Sequence, residues 1–174
     1  MFKNIESPIY AITPTYIFKN ELFDAVEKTL EADIKLIQYR FEDATSFEER
    51  YETAKEIQSI CHKRKATLVI NNDHRIAELI GCGLHIGQDV KDTSFLKDTK
   101  NISFTGLSCK NNPENQTRED AELFSYYSFG PLFESKTKKN ITGPLNIADV
   151  SSRMNKDKLN IAIGGISEIN LRLV

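Results

Sequence analysis

Short, strand-sized apolar runs alternate with stretches of helical apolar period along this whole chain. No other feature restricts its fold as much. Residues 9–12, 35–41, 67–70, 83–87, 101–107, 126–133 and 160–163 read as strands. Between them lie helical stripes: Leu22, Phe23, Val26 and Leu30 behind an Asn20 cap, then Phe47, Tyr51, Ala54, Ile57 and Cys61 behind a Ser46/Glu49 capping box. A short helix carries Ile76, Ala77 and Ile80, and another turn surrounds Phe95 and Leu96. Asn112-Pro113 opens a predicted helix running through Phe124, residues 145–154 predict a further one, and a last helix begins at Glu168. Strands alternating with helices imply parallel strands joined by right-handed crossovers.

A doubly wound sheet and a (β/α)8 barrel both satisfy that alternation. They differ in where polar residues collect. Here nearly every strand ends in a polar or glycine cluster: Thr13-Pro14, Gln38/Arg40, Asn71-Asn72-Asp73, His85/Gly87-Gln88, Ser108, Gly130-Pro131 and Gly164-Gly165. A barrel builds its site from all of its βα loops, so decorated strand ends favour it. No glycine-rich dinucleotide fingerprint follows the first strand. The expected fold class is therefore α/β, a (β/α)8 (TIM) barrel, incomplete, with about seven βα units and no clear eighth strand. Residues 1–174 are expected to form one domain. An unclosed parallel sheet exposes its edges, and a homodimer is the expected remedy.

Composition narrows the function classes. Of the 174 residues, 23 are Lys or Arg and 25 are Asp or Glu, a net charge of −2, so there is no basic field to hold nucleic acid. No apolar run approaches the roughly 20 residues needed to cross a membrane. The opening MFKNIESPIY has no apolar h-region, so no secretory signal is predicted and a cytoplasmic protein is expected. Cys61, Cys82 and Cys109 are scattered, without a C-x-x-C pair, and read as buried or half-buried thiols.

The strand ends carry the candidate chemistry. Gln38 and Arg40 share a strand face, and a guanidinium there suits phosphate or diphosphate, or else a structural ion pair. Asn71 can donate its amide to an anion, whereas Asp73 is either a helix N-cap or a metal ligand. Asp73, Asp89 and Asp92 are the hard oxygen donors that Mg²⁺ would use to hold a diphosphate. His85 reads as a satisfied structural histidine. Ser108 and Lys110 can face one pocket, and Cys109 has no obvious base beside it. Ser135, Lys136, Thr137, Lys138 and Lys139 form either a phosphate clamp or a solvated basic loop. Gly164-Gly165 lets backbone N–H groups approach a phosphate closely.

Taken in order, YAIT (10–13), IQYR (37–40), LVINND (68–73), GLHIGQD (83–89), GLSCK (106–110), FGPLFESKTKK (129–139) and AIGGI (162–166) resemble the thiamine phosphate synthase and TenI-like thiazole tautomerase superfamily. The resemblance implies a (β/α)8 barrel and a transferase of thiamine biosynthesis. Such an enzyme joins an aminopyrimidine methyl diphosphate to a thiazole phosphate and releases diphosphate, with Mg²⁺ and basic residues stabilising the leaving group. It further implies that Gln38 and Ser108 contact the pyrimidine and that Arg40, Asn71 and Lys138 hold the diphosphate. Ser135, Thr137 and Gly165 would hold the thiazole phosphate. Arg40, Lys138, Ser108 and Lys110 are the implied catalytic set, and Asp73 and Asp89 the implied metal ligands. The sequence departs from the family pattern at Glu42, Asn72, Val90 and Lys110, where the family places a cation, two metal carboxylates and, in its tautomerase branch, a histidine. The alternatives are a thiazole phosphate tautomerase using Lys110 or Asp73 as a proton carrier, and a non-catalytic member that binds a phosphorylated ligand or a partner enzyme.

Overall fold

A computed structural model describes residues 8–17, 19–41, 45–110, 116, 118–134 and 144–174. The chain divides into two compact units, Met1–His85 with Lys97–Phe104, and Ile86–Leu96 with Thr105–Val174.

The first unit is a run of βα repeats: β1 (Tyr10–Ile12), α1 (Lys19–Glu31), β2 (Leu36–Tyr39), α2 (Phe47–Lys63), β3 (Thr67–Asn71), α3 (His74–Ile80) and β4 (Gly83–Ile86). β1 pairs with β2, β2 with β3, and β3 with β4, all parallel. β2 is buried on both faces and β3 over Leu68, Val69 and Ile70, as strands covered on both sides must be. α1 turns Leu22, Val26 and Leu30 inward at four-residue spacing, and α2 buries Ala54, Ile57 and Cys61. Ser46 caps α2, its hydroxyl accepting the Glu49 N–H at 3.2 Å. α1 begins at Lys19, so Asn20 stands in its first turn rather than at the cap.

The second unit carries β5 (Thr105–Ser108), β6 (Tyr126–Phe129), α4 (Ile147–Arg153) and β7 (Leu159–Ala162). β5 pairs with β6 and β6 with β7, again parallel. Leu107, Phe124, Tyr126 and Tyr127 are fully buried. Gly106 is where the Tyr126 ring lies against the backbone: a Cβ there would stand 1.9 Å from the ring. Asn146 caps α4 by accepting the Asp149 N–H.

β5 starts four residues later and β6 ends four residues earlier than their apolar patterns predict, for identifiable reasons. Residues 100–102 ahead of β5 do not join the ladder, because the Glu78 carboxylate collects the N–H groups of Lys100, Asn101 and Ile102. β6 stops at Phe129, because the chain turns through Pro131, which has no N–H, and Leu132 and Phe133 donate instead to Ile163 and Gly164. Of the helix predicted from Asn112 to Phe124, residues 112–115 and 117 lie outside the described residues, and Ala121–Leu123 is a 3₁₀ turn. The predicted C-terminal helix amounts to a 3₁₀ turn at Leu171–Leu173. No helix among the described residues is long and apolar enough to cross a membrane.

Candidate active site

In the first unit, three predicted site residues stand at the ends of β2 and β3. Gln38 is buried, and its side-chain amide donates to the Tyr10 hydroxyl at 2.7 Å. The parallel register sets Gln38 beside Ile12, which brings Thr13 to Arg40, two residues beyond Gln38. There Thr13 accepts the Arg40 N–H at 2.9 Å through Oγ1 and donates the same hydroxyl to the Arg40 carbonyl at 3.2 Å. A buried threonine therefore fixes the backbone from which the half-buried Arg40 projects. No carboxylate among the described residues pairs with the Arg40 guanidinium.

Asn71 closes β3 beside His85 of β4. The chain then turns sharply. Asn72 adopts φ +61°, its N–H donates to the His85 carbonyl, and the Asp73 N–H returns to the Asn71 carbonyl at 2.8 Å. Asn is among the few side chains that tolerate this left-handed backbone. His85 is buried.

Asp73 is the N-cap of α3, accepting the Ile76 N–H through Oδ1. Its Oδ2 lies 3.2 Å from Nη2 of Arg50, and Arg75 Nε lies 3.5 Å from Oδ1. With 8% of its side chain exposed, Asp73 is spoken for on both oxygens. Arg50 escaped the sequence reading. Nothing in its spacing separates it from any other charge in the first turn of a helix, since its partner lies on the next βα unit.

In the second unit, Ser108 ends β5 opposite Ser128, and Cys109 donates its N–H to the Ser128 carbonyl. Lys110 follows in a left-handed backbone, φ +45°. Asp33 and Lys65, also at positive φ, stand two residues past the ends of α1 and α2; Asn72 and Lys110 stand at strand ends instead. Burial pushes the Cys109 thiol up to about 12, and those of Cys61 and Cys82 likewise, so none supplies a thiolate at neutral pH.

Asp89 is exposed and accepts from the Gln88 amide. The loop that carries it is held by Arg118, which donates to the Val90 and Lys91 carbonyls and pairs with Asp120 through Nε and Nη2. Thr93 also donates to Asp120. Burial pushes the Asp120 carboxyl up, but the hydrogen bonds from Thr93 and Arg118 and the Arg118 charge outweigh it and hold the group below its usual value.

Past β7 the backbone reverses through Gly164 at φ +92° and Gly165 at φ +67°. A Cβ on Gly165 would lie 2.4 Å from the Glu134 carbonyl oxygen, so glycine is required there twice over. The 130–134 segment, entered through a cis Gly130–Pro131 bond, runs alongside, with Leu132 donating to Ile163 and Phe133 to Gly164. Ser135, Thr137 and Lys138, which continue that segment, lie outside the described residues.

The described residues do not fit a Mg²⁺ site built on Asp73 and Asp89. Magnesium demands several hard oxygens in octahedral array. Asp73 already neutralises Arg50 and caps a helix, and no group of three or more His, Cys, Asp or Glu among the described residues could hold a metal.

A family model described as thiamine monophosphate synthase matches residues 9–174. The thiamine-phosphate synthase of Nitrosococcus oceani is 34% identical over 93% of this chain and 76% of its own length. That of Staphylococcus haemolyticus is 28% identical over 98% and 84%. That of Prochlorococcus marinus is 34% identical over 95% of this chain, which spans 46% of that longer protein. Among solved structures, the thiamine phosphate pyrophosphorylase from Pyrococcus furiosus superposes with a TM-score of 0.77 over 97% of this chain and 81% of its own, at 19% identity. The fold is thus a TIM-like (β/α) barrel of about seven units, and the chain belongs to the thiamine monophosphate synthase family.

Proposed function

We infer that this chain is a transferase that joins an aminopyrimidine methyl diphosphate to a thiazole phosphate, forming thiamine phosphate and diphosphate. The reading is supported by its family membership and by the relatives named thiamine-phosphate synthase. The observation that carries it is Arg40: a half-buried guanidinium at a strand end, without a carboxylate partner among the described residues, on a backbone fixed by Thr13.

In this reading the bond between the pyrimidine methylene and the diphosphate oxygen breaks, and its electron pair leaves with the diphosphate. The resulting carbocation accepts the lone pair of the thiazole nitrogen, which forms the new C–N bond. No protein nucleophile is consumed, which agrees with the three protonated thiols. Catalysis then rests on charge stabilisation and positioning. Arg40 and Lys138 take up the charge of the departing diphosphate, and Asn71 donates to it. Gln38, held by Tyr10, and Ser108 orient the pyrimidine. Ser135, Thr137 and Gly165 hold the thiazole phosphate, and Lys110 adds positive charge beside Ser108. Enzymes of this family generally use Mg²⁺, which neutralises diphosphate charge when bound; no step here is assigned to it.

Purified protein incubated with both phosphorylated substrates tests the reading. Thiamine phosphate and diphosphate should appear in equal amounts. Binding of both substrates with no product would leave a ligand-binding member of the family instead.

A further inference from the structure

We propose that Arg50 and Asp73 are a positioning pair that sets the loops carrying Arg40 and Asn71, and that Asp73 serves the diphosphate through this pair rather than through a metal ion. The proposal rests on the reading of Arg40 and Asn71 as diphosphate contacts.

The geometry is specific. The Arg50 guanidinium lies over the Phe41 ring, 4.7 Å from its centroid, and Phe41 is the residue after Arg40. Its Nη2 reaches the Asp73 carboxylate, two residues beyond Asn71. A second arginine repeats the device. Arg75 lies over the Phe47 ring, also at 4.7 Å, and approaches the other Asp73 oxygen. One carboxylate is therefore bracketed by two guanidinium groups, each seated on an aromatic ring beside or opening the β2–α2 connection. The Asp73 N–H meanwhile bonds the Asn71 carbonyl, so displacing the carboxylate displaces the turn that aims Asn71.

Stability alone does not account for the arrangement. Arg50 Nε is buried with no hydrogen-bond partner among the described residues. A buried donor left in this way costs stability. The guanidinium is held where the Phe41 face and the Asp73 oxygen place it, not where its own donors are best satisfied. The same contacts explain why Asp73 does not fit a metal site: a divalent cation at Oδ2 would sit against the Arg50 charge.

The test uses the full chain and inorganic diphosphate as the probe, titrated calorimetrically into wild type, Arg50→Met, Asp73→Asn and the double variant. Asp73→Asn is the clean member, because asparagine caps a helix as well as aspartate does and only the charge is lost. Each single variant should bind diphosphate about tenfold more weakly than wild type, and the double variant no more weakly than the singles, the signature of one shared interaction. In turnover, KM for the pyrimidine diphosphate should rise about tenfold, with KM for the thiazole phosphate and half-saturation by Mg²⁺ unmoved. A purely structural pair would lower the melting temperature and leave diphosphate affinity at 25 °C unchanged; that result overturns the proposal. So does a tenfold rise in the Mg²⁺ requirement of Asp73→Asn, which would make Asp73 a metal ligand. Wild type that binds no diphosphate also overturns it. Wild type that binds diphosphate, loses affinity in both variants and yet makes no thiamine phosphate upholds the pair and contradicts the proposed reaction instead.

Discussion

Thr13 Oγ1 accepts the Arg40 N–H at 2.9 Å and lies 3.2 Å from the Arg40 carbonyl oxygen, so one hydroxyl closes both backbone groups of the residue that carries the candidate anion contact. Thr13→Val keeps the branched shape and removes both bonds. It should cost about 1–3 kcal/mol, because the Arg40 N–H and carbonyl lose their partner in a part-buried site. Denaturant unfolding measures this. A loss below a few tenths would mean water replaces the hydroxyl at no cost.

Arg40→Ala should weaken binding of the pyrimidine diphosphate by about 1.5–3 kcal/mol, the usual value of a hydrogen bond to a charged group. The melting temperature should hardly move, since no carboxylate among the described residues depends on this cation. Lys138→Ala should act in the same direction. Calorimetric titration decides both. Unchanged affinity in the two variants would remove them from the site.

Lys110 pays a left-handed backbone cost that glycine would not. Relief of roughly 1–2 kcal/mol of strain should offset the roughly 0.5–1 kcal/mol entropic penalty of glycine. Lys110→Gly is therefore expected to melt at or above the wild-type temperature while kcat/KM falls. Lower stability with full activity would show that Lys110 is structural.

The Arg118–Asp120–Thr93 cluster sets an acid limit on stability. Because the folded Asp120 carboxyl titrates below its ordinary value of 3.8, its contribution is fully present above about pH 5 and is lost as the pH falls through the folded value. Asp120→Asn should thus be less stable than wild type at pH 7, by about 1 kcal/mol for a pair that is largely but not wholly buried. The difference should shrink below pH 3.8. Thermal melts across pH 3–7 check the sign; a gap that widens on acidification would contradict it.

The βα alternation was legible because it depends on local apolar period, which the sequence displays directly. The β5 and β6 ends were not, because distant or backbone partners set them: Glu78 draws residues 100–102 away from a ladder, and residues 132 and 133 find acceptors past β7. Strand-end placement was legible at Gln38, Arg40, Asn71 and Ser108, which stand at or just past the ends of β2, β3 and β5. Asp73 was open between cap and metal ligand because both need the same residue after a strand; Arg50, 23 positions earlier in the chain, tips the balance. Long-range pairs of this kind leave no periodic trace. The contacts of Tyr10 with Gln38 and of Thr13 with Arg40 were hidden for the same reason, since each joins β1 or its end to the next βα unit.

The most direct measurement of the central claim is a single-vessel assay of the purified chain with aminopyrimidine methyl diphosphate and thiazole phosphate, followed by ³¹P NMR. The account predicts one diphosphate released per thiamine phosphate formed, with turnover sharply reduced in Arg40→Ala. A folded wild-type protein that leaves both substrates intact, with and without added Mg²⁺, would contradict it.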